Sequence, residues 1–169
     1  MHITGARFPT VTVLISPRPP TQRPETPNAN ERTNVSYALT TTVHRSFADT
    51  LDATRVSLTD QGFGVLTEID IQATLKAKLN VDFPAQVILG ACRPPLAHAA
   101  LQVEPSVGLL LPCNVVVRYL DDDTTVVEAL DPKVMVTLTQ NEGLSFVADE
   151  AGRRLAAALD TLTPALTDS

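Results

Sequence analysis

From Val35 onward the apolar positions fall into short, regular patterns. Val35, Tyr37, Leu39, Thr41 and Val43 alternate with polar residues, the period of a half-buried strand. Phe47, Leu51, Thr54 and Leu58 then switch to helical spacing. Ser46 stands at the N-cap, Asp49 lies in the first turn, and Gly62 sits where a left-handed stop belongs. Phe63 to Ile69 returns to alternation, placing Phe63, Val65, Thr67 and Ile69 on one face and Leu66 beside Glu68 on the other. Asp70 can cap a short helix with Ile71, Leu75 and Leu79 on its apolar side, and Lys76 and Lys78 near its C-terminus.

Val87 to Ala91 is apolar enough to be a strand buried on both faces. Pro94 and Pro95 suit the first turn of a helix running to Gln102. Val107 to Leu111 reads as a short strand. Asn114 to Leu120 and Thr125 to Leu130 flank Asp121-Asp122-Asp123 as a hairpin. Leu144, Val147, Ala151, Leu155, Ala158, Leu159 and Leu162 form one helical stripe. The order is roughly β-α-β-α-β-α-β-β-α, an α+β fold: a compact two-layer domain with a mixed sheet packed against helices.

Composition divides the chain. Six of its 13 prolines (Pro9, Pro17, Pro19, Pro20, Pro24, Pro27) lie in residues 1–34, predicting a disordered Pro-rich tail with Val11 to Ile15 as its only strand-like piece. That piece is short, interrupted and without a small-residue cleavage site, so it reads as no signal peptide. A single α+β domain is expected over 35–162, with a tail at 163–169. At 44% hydrophobic and only 4% aromatic residues, its core is aliphatic. A net charge of -6 without a basic, aromatic patch argues against nucleic acid as a partner. No run reaches the roughly 20 apolar residues of a membrane span. Two cysteines are too few for a disulfide framework and fit a reducing, cytoplasmic setting.

Candidate chemistry centres on those cysteines. Cys92 closes Val87-Ile88-Leu89-Gly90-Ala91 and precedes Arg93-Pro94-Pro95, and Cys113 follows Leu109-Leu110-Leu111-Pro112 and precedes Asn114. If the two runs are neighbouring strands, both sulfurs arrive at one end of a sheet. As thiolates they would bind a soft metal or a cofactor, or cycle to a disulfide; as small hydrophobes they would simply fill core. His98 is a candidate third metal ligand or proton acceptor, set against a plain hydrogen-bonding role on an Ala-rich helix. Zinc normally needs four ligands, and no C-x-x-C is present.

Glu68 and Asp70 leave the same strand face. Asp70 is accounted for as a cap, whereas a partly buried Glu68 needs a cationic partner, Arg93 or Arg118. Asp121-Asp122-Asp123 lacks the further ligands of a cation loop and reads as a solvated turn. Gly62-Phe63-Gly64 lies between a helix and a strand, the wrong order for a phosphate loop. There is neither a Walker motif nor a G-x-S-x-G.

Three segments together resemble the family called domain of unknown function 302. They are Gly62 to Lys76, the stretch Ile88-Leu89-Gly90-Ala91-Cys92 with Pro94-Pro95-Leu96-Ala97-His98, and Gly108 to Val115. The resemblance places a family-like core at about 35–138 and a C-terminal helix at about 144–162. It departs from the family pattern at Arg93, where Asn is usual. The resemblance implies a compact α+β domain that pairs as a homodimer, and it implies no activity. The leading expectation is a homodimeric small-ligand or metal-binding module around Cys92, Cys113, Glu68, Arg93 and Asn114, with cofactor unspecified. A thiol-dependent enzyme or redox protein using Cys92, Cys113, His98 or Glu68, and an interaction protein with inert core cysteines, are the alternatives.

Overall fold

A computed structural model describes residues 37–163. The expectations for the Pro-rich tail, its strand-like piece, the leader reading and the last residues of the chain lie outside that range.

Strand β1 (Ala38–Val43) leads into helix α1 (Phe47–Asp60). Ser46 caps α1 as its sequence position predicts: its Oγ accepts from the Asp49 amide at 3.2 Å and donates to the Asp49 carboxylate at 2.7 Å. The helix stops at Gly62, whose φ of 80° is left-handed. Strand β2 (Gly64–Asp70) runs directly into α2 (Ile71–Leu79), because the Asp70 carboxylate accepts from the Ala73 amide at 2.8 Å. Then come β3 (Gln86–Cys92), α3 (Pro94–Val103), β4 (Cys113–Asp121) and β5 (Thr124–Leu130). Helices α4 (Lys133–Thr139) and α5 (Ser145–Asp160) follow.

The five strands form one sheet in the order β1-β5-β4-β3-β2. The α+β class and element order agree with the hydrophobic pattern. The sheet itself is antiparallel throughout, a correction to the expected mixed sheet. Its cause is in the connections. The links from β2 to β3 and from β3 to β4 each reverse the chain between neighbouring strands, at opposite ends of the sheet. Only the link from β1 to β2 crosses it, through α1, and that leaves two strands of like direction on opposite edges, unpaired.

One sheet face is covered. Val87, Leu89, Ala91, Val115, Val117, Val127 and Ala129 point into a core completed by Leu51 and Leu58 of α1 and Leu155 and Leu159 of α5. The other face carries exposed Thr40, Thr42, Thr67 and Asn114. Each fully buried aliphatic side chain contributes about 1.5–3 kcal/mol, so this aliphatic interface is the main source of stability. All seven residues of the predicted C-terminal stripe are buried.

Three local expectations need correction. The apolar run 107–111 is not a strand, since Pro105–Leu110 is a 3-10 helix with Leu109 89% exposed. Pro105 lacks the amide a ladder needs, and its fixed φ opens a helical turn instead. The expected single-face alternation of β2 is broken by a register shift between Val65 and Thr67. Val65 therefore packs on the core, while Leu66 points to solvent. Finally, α4 had no counterpart in the pattern: its Val134, Val136, Thr137 and Thr139 are β-branched, and burial of Met135 decides for helix.

Candidate functional site

Cys92 is the last residue of β3 and Cys113 the first of β4. Ala91 lies directly opposite Cys113 in the ladder, so both thiols arrive at the same end of the sheet. Both are free, Cys113 buried and Cys92 partly so.

The close pairing of these strand ends depends on a glycine. A β-carbon at Gly90 would lie 2.2 Å from Thr67 Oγ1 and 2.8 Å from Pro112 Cγ. Only a bare backbone lets Pro112 lie against the sheet just before Cys113.

The two cysteines line one small cavity with Arg93 and Met135. Phe63, Leu96, Leu111 and Val147 supply apolar walls. The volume is about 20 Å³, room for one water-sized body.

Arg93 lines the cavity, and its backbone opens α3. Its carbonyl accepts from the amides of Leu96 and Ala97, both at 3.0 Å, opening α3. Its side chain makes no cap and lies over Gly62 instead. There its Nε is buried without an acceptor, and no carboxylate among the described residues pairs with it. A buried N–H without a partner costs about 1–3 kcal/mol, more when charged, so this group is chemically unsatisfied.

Burial governs the thiols. It pushes Cys113 up to about 11, with a smaller contribution from charge on neighbouring Cys92. Burial also raises Cys92. Both move away from the thiolate, the reverse of what a nucleophile or rapid redox pair requires.

The remaining candidates stand apart. His98 is exposed on α3 and does not line the cavity. Among the described residues, no three His, Cys, Asp or Glu side chains are grouped to hold a metal. A site made of Cys92, Cys113 and His98 is therefore not assembled; α3 turns Leu96 and Ala100 inward and His98 out.

Glu68 lies opposite Leu89, three residues before Cys92, which is about 10 Å along the strand. It does not join the cysteines. Its partner is neither Arg93 nor Arg118 but Arg55 of α1, which donates from one nitrogen to Oε1 at 2.6 Å and from Nε to Oε2 at 3.1 Å. Arg118 instead pairs with Glu128 at 2.9 Å. Asn114, opposite Gly90, is exposed on the uncovered sheet face and lines a shallow depression with Tyr37, Val116 and Glu128. Asp122 and Asp123 form the hairpin turn after Asp121, the last residue of β4, with Tyr119 donating to Asp122 at 2.8 Å.

Met135 is the site residue the sequence did not announce. A methionine in a short β-branched segment carries no motif, and only the packing of α4 brings it to the cavity that the cysteines line.

Comparison with known proteins agrees with this architecture. The model of the family described as domain of unknown function DUF302 matches residues 39–162, and so extends past the expected family-like core of about 35–138 to take in the C-terminal helix. No curated protein matches. Among solved structures, the chain is similar to an uncharacterized conserved protein DUF302 from Bacillus stearothermophilus. The two are 31% identical, with 75% of this chain and 98% of that one covered at a TM-score of 0.69. With the family model spanning nearly all of the described fold, the chain belongs to the DUF302 family.

Proposed function

We propose that this protein is a small-ligand or metal-binding module whose site is the cavity between the ends of β3 and β4. One observation carries the reading. Arg93, whose buried Nε–H has no acceptor among the described residues, lines the same cavity as two free thiols. A ligand able to accept from that N–H would remove its desolvation cost on binding. Glu68, His98 and Asn114 have no part in this site.

The reading extends to a cytoplasmic homodimer. Helix α2 buries none of its residues, although Ile71, Leu75 and Leu79 lie on one side of it. Leu66, Ile69, Leu79 and Val81 are exposed along the edge strand β2 and the segment after it. A helix this short draws its stability from packing, and a second copy is the occupant that the family resemblance implies. Among the described residues, no helix is long and apolar enough to cross a membrane.

A thermal-shift titration of the reduced protein tests the site. The probes are Zn²⁺, Cu(I) held as its acetonitrile complex, and straight-chain carboxylates from acetate to hexanoate. At least one probe should raise Tm in the natural protein and raise it clearly less in Arg93→Gln. No shift from any probe, or equal shifts in the variant, overturns the proposal.

A further inference from the structure

We propose that the cavity takes a soft monovalent cation of the Cu(I) class, held by the Sγ atoms of Cys92 and Cys113 with Met135 Sδ as a third, weaker ligand. This rests on the reading of the cavity as the binding site and names what it binds.

Four observations lead to it. The chain has two cysteines and two methionines, and three of these four sulfur residues line this cavity. Thiolate and thioether together are the ligand set that selects Cu(I). The remaining walls are apolar apart from Arg93, offering no carboxylate, imidazole or hydroxyl to a hard cation. The volume of about 20 Å³ suits a single ion. Sites for drug-sized organic ligands are on the order of 300–1,000 Å³.

Charge closes the account. Binding releases two thiol protons to solvent and transfers no electron, because the copper arrives and stays as Cu(I). Two thiolates and one Cu(I) leave a net charge of -1 in an apolar cavity. The guanidinium of Arg93 brings the site to zero, and its unpartnered Nε–H gains a thiolate sulfur to donate to. Arg93 is thus a positioning and charge-balancing residue, and the ligands are the three sulfurs.

Anaerobic competition of the full, reduced chain against bicinchoninate for Cu(I) tests this. One Cu(I) per chain should be withdrawn from the chelator, with ultraviolet sulfur-to-copper charge-transfer absorption and two protons released. Cys92→Ala should weaken binding more than about 100-fold, and Met135→Leu and Arg93→Gln each by about 10–100-fold. Because Cys113 is buried, Cys92→Ala, at a partly exposed position, keeps the test valid if Cys113→Ser fails to fold. No withdrawal from the chelator, or Zn²⁺ bound as tightly as Cu(I), overturns the assignment. An unchanged affinity in Met135→Leu overturns the third ligand. Stabilisation by a carboxylate without Cu(I) uptake overturns this inference while leaving the binding module in place.

Discussion

Arg93 and Gly62 fit together as side chain against bare backbone: a β-carbon at Gly62 would lie 3.1 Å from Arg93 Nε. Gly62 is needed twice, for its left-handed φ and for the space above it. The stop signal of one helix therefore seats the cation that opens another.

Gly62→Ala should accordingly lower stability by about 1–2 kcal/mol in urea unfolding, through the positive φ alone. It should also weaken ligand binding, because Arg93 must shift. Unchanged stability would contradict the conformational argument. Unchanged binding in a folded variant would detach Arg93 from the site.

Gly90→Ala confronts a harder obstacle, with Thr67 Oγ1 at 2.2 Å and Pro112 Cγ at 2.8 Å from the new carbon. A loss of about 1–3 kcal/mol is expected. Adding Thr67→Ala should recover part of it, since Pro112 still obstructs, and the double-mutant cycle measures that coupling. Additive effects of the two changes would refute the contact.

Cys113 gives a pH signature. Its thiol titrates near 11 when folded against 9.0 as an ordinary thiol. The unfolded chain thus loses its proton first, so this contribution to stability is complete below pH 9 and is lost as pH rises to about 11. The amount is on the order of 2–3 kcal/mol. Chemical unfolding across that window should show a decline that is shallower in Cys113→Ala. Parallel curves for the two proteins would remove burial as the cause.

The surface of α2 offers a fourth prediction. Leu79 is 65% exposed and contributes nothing to the described core. Leu79→Lys should leave thermal stability of the fold nearly intact while shifting the protein from dimer to monomer in light scattering. A natural protein that is already monomeric, or a variant that remains dimeric, rules out this face.

Much of the fold was readable because its signals are local. Ser46, Gly62 and Asp70 act on their own neighbours, and the stripe from Leu144 to Leu162 is a single face of one helix. The sheet's direction, the bulge at Leu66 and the helix around Met135 depend on contacts between distant segments, which periodicity does not encode. The candidate site was legible to the same degree. The cysteines could be placed at strand ends from their flanking runs. Glu68 could not be removed from them without the register, nor Met135 added without α4.

Alkylation of Cys92 reports on ligand binding between β3 and β4, because this thiol is partly exposed and lines the cavity. Its rate of reaction with iodoacetamide should fall sharply when one equivalent of Cu(I) is present, and recover in Cys113→Ser. A rate that Cu(I) and every carboxylate probe leave unchanged would contradict a binding site between β3 and β4.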